Sequence, residues 1–408
     1  MKKQPKGFFS RLLEEERVRQ TETIDLIASE NAASSAVRDA NASVFMNKYA
    51  EGYPGARYYP GNDVADRLES RVRRQAQALF KAPPAQWRVN VQPYSGTPAN
   101  IAVYVALLEF GDTLMGLALS QGGHLTHGHR VNFSGKAYTV ISYGLNNKSG
   151  EIDYEALEVS AKSHKPKLIV SGATAYSRKI DFARIGKIAR RVGAIHMADI
   201  SHIAGLVAAG LHPSPFPWAD VVTTTTHKTL RGPRGAMIFS RKQFSEQIDR
   251  AVFPGMQGGP HLNTIAALGV ALDEARRPAF VVYQRHVIQN ARSLADALKK
   301  YGFTIIAGGT DNHLFLVDVR NKGFNGAEAE QILERAGIIA NRNTIPGDVS
   351  ARVPSGIRLG TPFVTTRGMR DAQMKMIAQW IYELLDRKSS PEKIRQKVRA
   401  TAKQFLLP

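Results

Sequence analysis

The sequence predicts an α/β protein: a large domain built on a mostly parallel sheet, followed by a smaller C-terminal α+β domain. Three observations carry this. From about residue 75 to 275, short apolar runs alternate with helical stretches, the arrangement that lays strands down in parallel. From roughly residue 276 the order changes to a long helix, paired strands and further helices. The length, 408 residues, is enough for two or three structural units.

The elements follow in order. Residues 1–45 read as a helix and then an extended arm, with Leu12, Val18 and Leu26 spaced unevenly among charges. A large domain is expected over 46–275. Its strands are Arg88–Val91, Tyr138–Ser142, Leu168–Ser171, Ile195–Ala198, Val221–Thr225 and Ala236–Ser240, short runs mostly rich in β-branched residues and bounded by Gly, Pro or polar residues. Helical stretches such as Phe182–Val192 lie between them, and Asn263–Glu274 carries Ile265, Leu268 and Leu272 on one stripe. A small domain is expected over 276–408, with helices Arg285–Lys300, Ala327–Ala336 and Arg370–Leu385 and strands near Thr304–Ile306 and Leu314–Val317. The last segment opens Ser389-Ser390-Pro391-Glu392, a good helix start. Seven Lys or Arg lie from Arg387 to Lys403. That helix either packs its apolar stripe (Ile394, Val398, Phe405) on its own domain or binds an anionic partner.

Composition narrows the function classes. The chain has no cysteine, which excludes disulfides, thiolate metal sites and cysteine nucleophiles. No run approaches the length of a membrane helix, and the basic start Met1–Lys6 is not followed by an apolar h-region. A cytoplasmic protein without a membrane partner is therefore expected. The formal charge of +20 attracts phosphates, carboxylates or nucleic acid, or is simply a solvated cationic surface. No zinc spacing, Walker loop or GxSxG elbow is present. In Gly122-Gly123-His124-Leu125-Thr126-His127 the histidines are three apart, but Gly-Gly argues against a helix that would align them on a metal.

Several motifs can carry chemistry. Thr223-Thr224-Thr225-Thr226-His227-Lys228-Thr229 closes a buried strand. A lysine there is either a poorly solvated amine suited to a Schiff base or a surface residue in a polar turn. Asp199, 29 residues before Lys228, follows an apolar run; it either holds a pyridine nitrogen protonated or caps the next helix. His202 is a polar neighbour or faces a cofactor. Ser95-Gly96-Thr97-Pro98-Ala99-Asn100 opens a helix and is a phosphate cup or an ordinary capped start. The Gly-rich loop Phe253–Pro260 wraps an anion or only turns. Arg358 sits in an apolar run and needs an anion, from substrate or from the protein.

Together with Leu26-Ile27-Ala28-Ser29-Glu30-Asn31, Asn47–Gly55 and Gly308-Gly309-Thr310-Asp311-Asn312-His313, these motifs resemble signatures of the serine hydroxymethyltransferase family, from about residue 10 to the C-terminal helix. The resemblance implies a pyridoxal-phosphate (PLP)-dependent transferase fold of the aspartate aminotransferase type. It implies a homodimer with shared active sites, with a tetramer left open, and reversible conversion of L-serine and tetrahydrofolate to glycine and 5,10-methylenetetrahydrofolate. Pyridoxal 5'-phosphate would be the cofactor, bound covalently by Lys228, and tetrahydrofolate the co-substrate. Asp199 would pair with the ring nitrogen, His124 stack on the ring, His202 lie near its hydroxyl and Thr174 near the ring. Ser95, Gly96 and Thr97 would bind the phosphate, and Tyr49, Gly258 and Gly259 would reach the site from the neighbouring copy. Ser29, His202 and Arg358 would hold the amino acid, and Arg234 matches a family arginine near the lysine loop. Glu51 would be the acid–base group, with Tyr59 and His227 in the catalytic set. Leu119, Gly123, Leu125 and Asn343 would meet the pteridine.

The pattern departs from the family at Pro60-Gly61, where Gly-Gly is usual. It departs also at Thr97 and Thr174, which replace serines but keep the hydroxyl, at Pro98 in place of Gln, and at His129-Arg130 in place of Ser-Pro. Two other readings stay open at this level: a folate-independent aldolase acting on threonine-like 3-hydroxy amino acids, and RNA binding on an enzyme scaffold.

Overall fold

A computed structural model describes residues 7–348 and 353–408. The basic start at residues 1–6 lies outside them. The strands in chain order are β1 (Ile24–Asp25), β2 (Gly52–Tyr53), β3 (Ala56–Arg57), β4 (Trp87–Asn90), β5 (Thr113–Leu117), β6 (Thr139–Tyr143), β7 (Leu168–Ser171), β8 (Ile195–Asp199), β9 (Val221–Thr225), β10 (Ala236–Arg241), β11 (Thr304–Ile305), β12 (Leu314–Asp318), β13 (Ile338–Ile339), β14 (Asn341–Asn343) and β15 (Gly356–Gly360). The chain forms two compact units: Met1–Ala32 with His286–Thr344 and Asp348–Pro408, and Ala33–Arg285 with Ile345–Gly347.

In the larger unit, β4-β10-β9-β8-β7-β5-β6 form one sheet. Strand β10 runs antiparallel to both neighbours, and the pairings from β9 to β6 are parallel. Strands β7 and β9 are buried at every residue. This is why they read as unbroken apolar or β-branched runs: a parallel sheet covered on both faces has no polar side to show. The expected strands are all present, shifted by a residue or less at either end.

Strand β5 was not expected. Its sequence, Thr-Leu-Met-Gly-Leu, has a glycine at its fourth position, which weakens a strand signal. The structure gives the reason for Gly116: a Cβ there would run into the backbone oxygen of His127. The glycine lets the His124–His127 turn lie directly on the strand.

The smaller unit holds the sheet β11-β12-β15-β14, with all pairings antiparallel, and the parallel pair β1-β13. The N-terminal helix ends at Glu22, so Leu26 lies beyond it; Ile24 and Leu26 are buried in this unit's core with Phe315, Leu333, Ile357 and Ile381. The C-terminal helix, Pro391–Ala402, starts at a Ser390 cap and buries Ile394, Val398 and Ala402. Much of its charge is met within the unit: Glu392 pairs with Arg335, Lys397 with Glu383, and Arg399 and Lys403 with Glu22. No helix among the described residues is long and apolar enough to cross a membrane.

Candidate active site

Adjacent parallel strands place the first two functional side chains. Asp199 closes β8 and pairs in register with Thr223 of β9, and beyond the end of β9 the chain continues through Thr226 and His227 to Lys228. Both residues are thus carried to the carboxyl ends of neighbouring strands, where α/β sheets leave a crevice for ligands. Lys228 is 8% exposed.

Asp199 is buried, and three donors converge on it. Its Oδ1 accepts the backbone N–H of Ser201 at 3.0 Å. Its Oδ2 accepts Asn100 Nδ2 at 2.9 Å and lies 3.2 Å from His127 Nε2. Burial alone would raise the carboxyl's pKa; the hydrogen bond from His127, the electrostatic influence of the His127 and His124 rings and the Ser201 bond outweigh this and hold the group far below the usual carboxylate range. Asp199 does not cap the next helix, which begins at Ala204.

His124 opens a short 3₁₀ turn, Leu125–His127, right after Gly122-Gly123. Burial, followed by the electrostatic influence of the neighbouring His127 ring, pushes its pKa down to about 4, so the ring is neutral near pH 7. His227 is likewise pushed down to about 3 by burial and by the charges of Lys228 and Arg234; its Nδ1 is buried without a hydrogen-bond partner among the described residues. Arg234 itself is exposed. His202 is buried, and its carbonyl accepts Thr229 Oγ1 at 2.9 Å. Thr174 Oγ1 donates to the carbonyl of Gly123 at 2.6 Å, so the replacement hydroxyl ties its loop to the glycine turn. Leu119 lies in a 3₁₀ turn just before this loop, and Leu125 is 42% exposed beside it.

Ser95 is the N-cap of the helix Gly96–Leu107, and its side chain makes no capping bond. The first N–H groups of a helix have no intrahelical acceptor. Here Pro98 lacks one altogether, which leaves Gly96 and Thr97 as the donors. A Cβ on Gly96 would come 2.7 Å from Thr225 Cγ2, so the helix start approaches β9 closely only as glycine. A phosphorylated pyridine aldehyde suits this donor set: a buried anion for a ring N–H, a buried amine for the aldehyde and a free helix N-terminus for the phosphate.

A second cluster lies on the same unit, tied to the residue before Ser95: Tyr94 Oη donates to the carbonyl of Gly259 at 2.8 Å. Tyr49 Oη donates to Glu51 Oε1 at 3.1 Å, and the Tyr49 and Tyr59 rings meet edge-on at 5.1 Å. Gly258 and Gly259 sit against Glu51 and Tyr49. Tyr49 is 54% exposed and Tyr59 46%. The main chain around Glu51 is held firmly: Arg57 donates to the carbonyls of Ala50 and Gly52, and its guanidinium pairs with the fully buried Glu69 at 2.7 Å.

Ser29, Asn343 and Arg358 belong to the smaller unit. Arg358 is buried in β15, its Nε donates to Asn341 Oδ1 at 3.1 Å, and burial lowers its pKa to about 10. Sequence reasoning named Asn100, Thr126 and His127 within motifs but gave none of them a role at Asp199, and it did not single out Arg57 or Glu69. One signal for Asn100 was available: it is a polar side chain directly before the apolar run Ile101–Leu108, a place where a buried amide needs partners.

A family model described as serine hydroxymethyltransferase matches residues 4–381. The chain is 54% identical over 373 residues to a protein of Dehalococcoides mccartyi strain BAV1, covering 91% of this chain and 89% of the relative. It is 51% identical over 399 residues to one of Acidobacterium capsulatum, covering 97% and 92%. It is 54% identical over 377 residues to one of Legionella pneumophila strain Lens, covering 92% and 89%. All three relatives are named serine hydroxymethyltransferase.

Proposed function

The chain belongs to the serine hydroxymethyltransferase family, and from that premise we propose how its own residues carry the reaction. It is a pyridoxal-phosphate-dependent transferase that converts L-serine and tetrahydrofolate reversibly to glycine and 5,10-methylenetetrahydrofolate. The relatives favour this over a folate-independent aldolase. When bound, pyridoxal phosphate supplies an aldehyde and a ring that accepts electrons.

One observation supports the assignment most: the buried Asp199 carboxylate, kept ionised by three donors on the strand next to the one that carries Lys228. Asp199 holds a proton at the ring nitrogen, which keeps the ring electron-poor. Lys228 would hold the cofactor through its amine, which the aldehyde of the cofactor suits. His227 stands beside that amine in the catalytic set as a neutral imidazole, its pKa held at about 3. Ser95, Gly96 and Thr97 bind the phosphate, His124 lies on the ring face as a neutral imidazole, and His202 and Thr174 flank the ring. Ser29, His202 and Arg358 hold the amino acid, with Arg358 on its carboxylate and Arg234 near the lysine loop. Leu119, Gly123, Leu125 and Asn343 contact the pteridine.

Glu51 moves the proton of the serine hydroxyl, with Tyr59 lining the pocket. We assign Glu51, Tyr59, Tyr49, Gly258 and Gly259 to the active site of a second copy. Supporting this, Tyr49 and Tyr59 are strongly exposed for aromatic residues, on a main chain clamped by Arg57 and Glu69. The working form is then a homodimer. The compartment we propose is the cytoplasm, since serine, glycine and tetrahydrofolate are polar solutes.

The test is complementation. Lys228→Ala and Glu51→Gln each abolish tetrahydrofolate-dependent conversion of serine to glycine. Dissociating and re-forming the two variants in equal amounts recovers about a quarter of wild-type activity, the share of sites in which random pairing assembles two intact halves. No recovery contradicts the shared site, and full activity in either single variant contradicts that residue's role.

A further inference from the structure

The side chain of Asn100 lies between three buried groups. Its Nδ2 donates to Asp199 Oδ2 and to Thr126 Oγ1, each at 2.9 Å, and its Oδ1 accepts Thr223 Oγ1 at 2.7 Å. Asn100, Thr126 and Thr223 are at most 1% exposed. Donor accounting then fixes the protons. A carboxylate only accepts, so the amide nitrogen must face Asp199, and both of its hydrogens are used. Thr126 Oγ1 accepts one of them, and its own hydrogen points to His124 Nδ1, 2.7 Å away. The backbone N–H of Thr126 donates to the same Nδ1 at 3.2 Å. His124 Nδ1 is therefore an acceptor, and the neutral ring carries its proton on Nε2. The same logic holds for His127: its Nδ1 accepts the His124 N–H at 3.4 Å, which leaves Nε2–H to donate to Asp199 at 3.2 Å.

We propose that Asn100 is a positioning residue that ties the orientation of the Asp199 carboxylate to the tautomer of His124, through the hydroxyl of Thr126. The groups assigned above to the ring nitrogen and the ring face then respond as one unit. The catalytic meaning of this linkage rests on that assignment; the linkage itself does not. Asn100→Asp is nearly isosteric and reverses the sign of the contact. A carboxylate at this position draws the Thr126 hydroxyl hydrogen toward itself and turns an oxygen lone pair toward His124 Nδ1, which then binds a proton.

The experiment has two readouts. The first is ¹⁵N NMR of histidine-labelled apo-protein, with the His124 signals assigned by their loss in His124→Asn. The wild type shows the Nε2–H tautomer, and Asn100→Asp shifts His124 to an Nδ1–H or doubly protonated form. Should Asn100→Asp fail to fold, Thr126→Val keeps the Asn100–Asp199 bond and removes only the hydroxyl donor; the backbone N–H of residue 126 still donates to His124 Nδ1, so the Nδ1–H share rises above its wild-type value but stays the minor form. An unchanged tautomer in the folded variants overturns the proposal.

The second readout is the dissociation constant of pyridoxal phosphate, with the split between kcat and KM. Asn100→Ala weakens cofactor binding by about tenfold, the loss of one hydrogen bond to a charged group. It lowers kcat while leaving KM for serine unchanged. A shifted tautomer with unaltered cofactor affinity supports the linkage and overturns the assignment of these groups to the ring.

Discussion

At Asp199, burial and hydrogen bonding act in opposite directions on one carboxyl. Burial favours the protonated acid, whereas Ser201, Asn100 and His127 favour the anion, and they win because all three donors are in place. Asp199→Asn keeps the shape and removes the charge. Covalent attachment at Lys228 is expected to persist while turnover falls by about a hundredfold or more, read from absorbance and from steady-state rates. At this scale the sequence is informative where a residue sits inside a long motif: Lys228, Asp199 and Ser95–Thr97 all stand out in the order of residues alone. It is silent on Asn100, whose partners Thr126, Asp199 and Thr223 lie 26, 99 and 123 positions away. Local pattern carries no trace of such pairings.

The elements are legible to the degree that burial leaves a signature. Strands β7 and β9 are mostly apolar or β-branched because helices and neighbouring strands cover them, whereas β5 hides behind Gly116, which is there for the backbone of His127 rather than for the strand. The smaller unit has a device no periodicity reports. The buried guanidinium of Arg367 donates to the carbonyls of Gln20, Thr21 and Thr23 at the end of the N-terminal helix, and to those of Ala402 and Phe405 at the end of the C-terminal one. It thus satisfies carbonyls that two helix ends leave open. Arg367→Met leaves these acceptors without their donor and costs about 2–5 kcal/mol. Hydrogen exchange is expected to accelerate at both ends together; acceleration at only one end would show that the two are not joined through this residue.

Over the whole molecule, three histidines share one behaviour: His196 is fully buried, and His124 and His227 are half-buried. Burial lowers the pKa of His124 and His196 to about 4 and of His227 to about 3, against 6.5 for an exposed ring. Between those values the unfolded chain binds protons that the folded chain does not, so stability rises with pH there. Their contribution is complete above about pH 6.5 and is lost as pH falls toward 4. Asp199, depressed in the opposite sense for an acid, adds stability that is lost only below its unfolded value of 3.8. Calorimetry of the apo-enzyme should therefore show a falling Tm from pH 6.5 to 4, and His196→Asn, remote from catalysis by its contacts with Ser171 and Trp218, should flatten part of that slope. A Tm that stays level across this window contradicts the burial of these rings. The strand–helix alternation announces the larger unit's architecture well. It does not announce that Met1–Ala32 is built into the smaller unit, because β1 pairs with β13 across more than 300 residues of chain.

The central claim is that one amine, at the end of a buried strand, binds the aldehyde of the cofactor. Borohydride reduction of the enzyme with pyridoxal phosphate, followed by digestion and mapping of the labelled peptide, tests it most directly. The expected result is a single stoichiometric label on Lys228, in the peptide that contains Thr223–Thr229. A label on any other lysine, or none while the protein remains folded, would contradict it.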